Sequence, residues 1–130
     1  GLVELAYNNP EHAIWRKYGS ICLACGQCAM VCPTCFCFDI KDKLDISLQS
    51  GERYREWDVC LLLEFAEVAL GGNFRKSRDA RLRQFMCHNL SYGVMQYNLM
   101  KCVGCGRCIK ACPVHIDITE IARELREGLS

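Results

Sequence analysis

The chain has 130 residues, with 16 Lys and Arg against 15 Asp and Glu, and 12 cysteines. That is one domain's worth of chain, and a formal net charge of +1 excludes the broad field by which a protein gathers nucleic acid or a membrane surface. No apolar run is long enough to span a bilayer, and no segment resembles a signal peptide. The opening at Gly1 rather than Met points to a piece of a longer polypeptide, so the expectation is a single domain over residues 1–130 of a larger subunit.

In chain order, Asn9-Pro10-Glu11 reads as a helix start, with Asn as cap and Pro at the first helical position. The helix runs through Ala13, Ile14, Trp15 and Tyr18, and Gly19 is expected to stop it before a first cysteine loop. From Thr34 the chain alternates, with Phe36, Phe38 and Ile40 on one side and Cys37, Asp39 and Lys41 on the other. A Ser50-Gly51 turn and the Arg53–Trp57 segment complete a short hairpin. Val59–Leu70 is apolar at helical spacing and Gly71-Gly72-Asn73 closes it, which predicts a helix. Ser77 can cap another through Ala80, Leu82, Phe85 and Met86, and a last helix is expected from Thr119 through Ile121, Ala122 and Leu125.

Two copies of one spacing frame these elements: Cys22, Cys25, Cys28, Cys32-Pro33 and Cys102, Cys105, Cys108, Cys112-Pro113, each reading C-x2-C-x2-C-x3-C-P. This is a two-cluster iron-sulfur signature. Three thiolates on a tight loop can reach three corners of a cubane, while the Cys before Pro is carried away to the other cluster. The spacing predicts two 4Fe-4S clusters, one on Cys22, Cys25, Cys28 and Cys112 and one on Cys102, Cys105, Cys108 and Cys32. Ala24, Gly26, Gly104 and Gly106 keep bulk away from the sulfides. Zinc sites use two separated Cys pairs and leave the third and fourth cysteines of each run without a role. Runs of this kind suit reduced thiolates, so a cytoplasmic location is expected.

About seventy residues separate the two motifs, and such a long helical insertion resembles the alpha-helical ferredoxins of multisubunit oxidoreductases. The fold class expected is therefore mainly α, an alpha-helical ferredoxin-like dicluster domain with a small β-hairpin insertion. The string Cys32-Pro33-Thr34-Cys35-Phe36-Cys37-Phe38-Asp39 is more specific still. With Trp57-Asp58-Val59-Cys60, Gly71-Gly72-Asn73-Phe74-Arg75 and Cys102-Val103-Gly104-Cys105-Gly106-Arg107-Cys108, it resembles the C-terminal dicluster domain of sulfhydrogenase beta subunits and of the first subunit of anaerobic sulfite reductases. The resemblance implies a hetero-oligomeric complex. In it the domain would relay electrons between a flavin-containing diaphorase-type subunit and a catalytic subunit that reduces protons, polysulfide or sulfite. Asn89 departs from the Lys more usual in that family after His88.

Cys35, Cys37, Cys60 and Cys87 remain. They are either small buried hydrophobes or, for Cys35, Cys37 and Cys60 with His88 or Cys87, a third iron-sulfur or metal centre. Clusters with all four corners on cysteine leave no open position, so no catalytic site is expected on this chain. An iron-sulfur regulatory or structural module is the alternative from another class. The basic run Arg75, Lys76, Arg78, Arg81 and Arg83 reads as a solvated helix face or a docking surface, and not as a nucleic-acid site, since it lacks interleaved aromatics. His12 and His115 read as ordinary residues at or near the surface. Ile21, Leu23, Met30, Val31, Val103, Ile109 and Val114 should keep water from the clusters, and Lys101, Arg107 and Lys110 beside the second motif should raise its potential above that of the first.

Overall fold

A computed structural model describes residues 1–128. Helix α1 (Leu2–Asn8) and helix α2 (Ala13–Ile21) lead to the first cysteine loop and the single turn α3 (Gln27–Met30). A hairpin follows, β1 (Phe38–Leu44) and β2 (Gly51–Trp57), then a two-residue pair, β3 (Glu67–Val68) and β4 (Gly72–Asn73). Helix α4 (Arg78–Cys87), a π-helical turn over His88–Tyr92 and α5 (Gly93–Tyr97) form one unbroken helical run. After the second loop come α6 (Arg107–Ala111) and α7 (Ile118–Glu127).

The core lies where α2, α4 and α7 meet, and Leu82, Phe85, Ile121 and Leu125 are among its fully buried side chains. Ile118, Ile121 and Leu125 fall on one stripe of α7, so burying that stripe docks the helix. Asp117 caps it, accepting from Thr119 N–H at 2.7 Å. Lys17 and Tyr18 of α2 both donate to the Glu124 carboxylate, at 2.7 and 2.8 Å, and pin α7 from the rim. Helix α1 lies on the π-helical turn, where Ser91 Oγ donates to Val3 O at 2.7 Å.

Three local expectations are corrected. Helix α2 starts at Ala13 with His12 as its cap, His12 Nδ1 accepting from Ile14 N–H at 3.2 Å. It continues through Gly19, which does not stop it. Gly19 is where α2 crosses α4, since a Cβ there would lie 2.6 Å from Asp79 Cα. The Val59–Leu70 helix does not form. Leu70 and Gly71 both turn to positive φ, 68° and 75°, and Asn73 Nδ2 donates back to Leu63 O at 2.7 Å, closing a compact hairpin loop. Val59, Cys60 and Leu61 enter the core as a short non-helical stretch.

The mainly α fold class is corrected with them. The described chain is 48% helical and 14% strand, with two small antiparallel sheets. The larger, β1–β2, runs from Phe38↔Trp57 to Leu44↔Gly51, and all fourteen of its residues are exposed. It is a free-standing ribbon, held by its ladder, by the bidentate Arg53–Asp42 pair at 2.6 and 2.8 Å, and by the Lys41–Glu56 pair. Among the described residues no helix is long and apolar enough to cross a membrane.

Candidate iron-sulfur centres

Both cysteine loops take the same backbone path. In the first, Ala24 and Gly26 have φ of 52° and 77°; in the second, Gly104 and Gly106 have 69° and 72°. Left-handed residues third and fifth in each loop curl the chain inward, and Ala24 takes up this conformation at a cost of about 1 kcal/mol. Gly26 is needed twice over, because a Cβ there would also stand 2.6 Å from Val59 Cγ2. Each loop ends in a short helix, and α3 packs against α6. Motifs that start 80 residues apart, at Cys22 and Cys102, thus become neighbours.

Two cavities open between them. One is lined by Cys22, Cys25, Cys28, Cys108 and Cys112, with Leu61, Leu82, Phe85, Met86, Ile116 and Ile118. The other is lined by Cys32, Cys102, Cys105 and Cys108, with Thr34, Asn89, Lys101, Ile109 and Thr119. Each cavity therefore has the three loop cysteines of one motif and the cysteine before the other motif's proline, and Cys108 lines both. Phe85, Cys108 and Ile118 belong to both walls, so the cavities are adjacent.

The thiols line two cavities and do not converge on one point. Among the described residues no three His, Cys, Asp or Glu side chains converge as one metal ion would need. Burial, and then the crowding of neighbouring thiols, pushes Cys22 and Cys28 up. Cys108 is raised first by its burial. Thiols packed this way are costly to ionise together unless a multiply charged cation stands among them. Hydrogen bonds are already aimed at sulfur: Ala24 N–H reaches Cys22 Sγ and Ile116 N–H reaches Cys112 Sγ, both at 3.3 Å. Burial works against the Cys32 thiolate, but bonds from Thr34 and Cys35 outweigh it and draw Cys32 down.

Cys25 and Cys105, the middle thiols of the two loops, are exposed. The apolar residues expected to exclude water do so only in part. Ile21, Leu23, Met30 and Val103 are exposed, Ile109 and Val114 pack partly against the core, and the shielding comes mainly from Leu61, Leu82, Phe85 and Ile118.

The remaining cysteines divide. Cys37 and Cys60 hydrogen-bond to each other, which draws Cys37 down to about 6 and pushes Cys60 up. Cys35 is nearby and is raised to about 12, first by burial and then by Cys32. Cys87 is apart from them, its thiol donating to Ala6 O at 3.6 Å beneath α1. His88 packs edge-on against Phe36, with Nε2 3.3 Å from Lys101 Nζ, and burial and then that ammonium hold it below the usual imidazole range.

The basic run is divided: Lys76 and Arg78 are exposed, while Arg78, Arg81 and Arg83 each bind a backbone carbonyl. Arg81 is only 7% exposed and donates to Lys76 O at 2.7 Å, while Arg83 donates to Pro10 O at 2.6 Å. Arg78 Nη1 donates to the carbonyl of Cys22 at 3.0 Å and so fixes the start of the first loop. Arg78 and Asn89 were not singled out as loop-holding residues by sequence reasoning. Asn89 accepts from Cys102 N–H at 3.1 Å through its backbone, and its side chain is 3.7 Å from Cys32 Sγ. No spacing signal marks either, because their partners are 56 residues or more from Arg78 and 13 or more from Asn89.

A family model described as a 4Fe-4S dicluster domain matches residues 21–116. The chain is 37% identical over 129 residues to sulfhydrogenase 2 subunit beta of Pyrococcus furiosus, an alignment covering 98% of this chain and 36% of that protein. The chain thus spans about a third of the length of the curated relative it matches. No solved structure matches it.

Proposed function

The chain belongs to the 4Fe-4S dicluster domain family, and from that premise we propose that it relays single electrons through two 4Fe-4S clusters. Cys22, Cys25, Cys28 and Cys112 hold the first, and Cys102, Cys105, Cys108 and Cys32 the second. When bound, each cluster takes up and returns one electron, at a potential set by hydrogen bonds to sulfur, local charge and exposure. The observation that carries the reading is the make-up of the two adjacent cavities, each with the three loop thiols of one motif and the pre-proline thiol of the other, Cys108 lining both. The chain's own residues position the sulfurs, exclude water from the shared wall at Phe85 and Ile118, and leave Cys25 and Cys105 toward solvent, where electrons enter and leave.

The likeness to a sulfhydrogenase beta subunit supports a place in a hetero-oligomeric complex of the cytoplasm. There the domain passes electrons between a flavin-containing diaphorase-type subunit and a subunit that reduces protons, polysulfide or sulfite. The test is anaerobic iron and sulfide analysis of the reconstituted chain, with EPR during stepwise reduction. About eight iron and eight sulfide with two coupled S = 1/2 signals are expected, and they should survive repeated one-electron cycling. About ten to twelve iron would point to a further centre at Cys35, Cys37 and Cys60. Loss of the clusters on each cycle would overturn the relay in favour of a regulatory module.

A further inference from the structure

Lys101 is the one charged side chain lining either cavity. It is only 7% exposed, and among the described residues no carboxylate pairs with it. Its ammonium stands 3.9 Å above the Phe36 ring and 3.3 Å from His88 Nε2, and its charge also reaches the Cys35 and Cys37 thiols. A buried ammonium without a carboxylate is costly, yet the fold makes room for this one. A Cβ at Gly93 would collide with the Lys101 stem, and Thr34 Oγ1 donates to Lys101 O at 2.8 Å. The adjoining Cys102 N–H is tied to Asn89 O.

The first cavity has no buried counterpart: Arg78 donates to Cys22 O at 3.0 Å and its charge reaches the Cys22 thiol, but its side chain is exposed. Ile21 holds the position before the first loop, and the walls of that cavity carry no charged side chain. Arg107 and Lys110 flank the second loop but are exposed, where water and salt screen them. Lys101 works in a low dielectric at short range.

We propose that Lys101 is the fixed counter-charge of the second cavity and makes the cluster held there the electron sink of the pair. The inference rests on the two-cluster reading above and gives it a direction. Each added electron makes a cluster more negative, so the fixed cation favours reduction beside Cys32, Cys102 and Cys105. An electron that enters at Cys25 comes to rest in the second cavity and leaves past Cys105. The step moves one electron and requires no proton.

The experiment is an anaerobic potentiometric EPR titration of the reconstituted full chain, wild type against Lys101→Met, Lys101→Gln, Lys101→Arg and Arg107→Gln. The signals are assigned by their response to Cys25→Ser and Cys105→Ser. Lys101→Met and Lys101→Gln should each lower the midpoint of the Cys105-sensitive signal and leave the other in place, at low and at high salt alike. Lys101→Arg should restore the wild-type midpoint, and any shift from Arg107→Gln should vanish in salt. The inference is overturned by unchanged midpoints in the neutral variants, or by equal shifts of both signals. It is also overturned if these variants alter only the alkylation rate of Cys37, which would make that thiolate the partner of Lys101. A wild-type chain that takes up fewer than two clusters would overturn the two-cluster reading along with it.

Discussion

Trp57 donates its indole N–H to Met30 Sδ at 3.1 Å, joining the foot of the β1–β2 ribbon to the turn of α3 between Cys28 and Cys32. Every strand residue of that ribbon is exposed, so it has almost no other hold on the core. Trp57→Ala should free the ribbon without unfolding the domain. Trypsin cleavage at Lys43 and Arg53 should speed up several-fold, while global stability changes by less than about 1 kcal/mol. Unchanged cleavage would mean that the ladder alone fixes the ribbon.

Gly19→Ala reverses the usual sign of its substitution. In an ordinary helix interior the change stabilises by about 0.5–1 kcal/mol. Here the new Cβ would meet the backbone of Asp79 at 2.6 Å, and backbone cannot step aside as a flexible side chain can. Helices α2 and α4 must separate, and the variant should lose about 1–3 kcal/mol in a denaturant melt.

The crossed thiols make a pairing prediction. Cys112→Ser should erase or alter the same EPR signal as Cys25→Ser, and Cys32→Ser the same signal as Cys105→Ser, each with loss of up to about four iron. If Cys112→Ser instead shares its signal with Cys105→Ser, each motif holds its own cluster.

Tyr18 gives a pH window. Its hydroxyl is pushed up to about 12, first by burial and then by its hydrogen bond to Glu124. The folded chain binds this proton more tightly than the unfolded chain. The stabilisation is whole below about pH 10 and disappears as pH rises through about 12, and it amounts to at most about 2–3 kcal/mol. Tyr92 is raised to about 12 as well, by burial and by Cys87. Urea melts between pH 9 and 12 should show stability falling, and Tyr18→Phe should remove roughly half of that slope. An unaltered slope would assign the alkaline loss to other groups.

What sequence reasoning reached was local. Eight cysteines in two identical runs, the ribbon from Phe38 to Trp57 and the α7 stripe are all set by residues close together in the chain. What it missed depends on distant partners. Gly19 reads as a stop until Asp79 is seen across from it. Arg81 reads as a surface charge until the core closes over it. Val59–Leu70 has helical spacing, but the left-handed turn at Leu70-Gly71 and the Asn73–Leu63 bond outweigh periodicity over so short a run. Lys101 was legible as a charge beside the second motif, but its burial was not, since that depends on Gly93, Phe36 and His88 closing around it.

The packing of α3 on α6 also sets a timetable for the newborn chain. Cys22 leaves the ribosome 80 residues ahead of Cys102, so at 5–20 residues per second the first loop waits roughly 4–16 s for the second. Through that interval its sulfurs are bare, without the wall that α6 and α7 later provide. Oxygen, stray metal or a foreign thiol can reach them first. A cell making this protein gains from low oxygen, or from an escort that masks the early thiols until synthesis is finished.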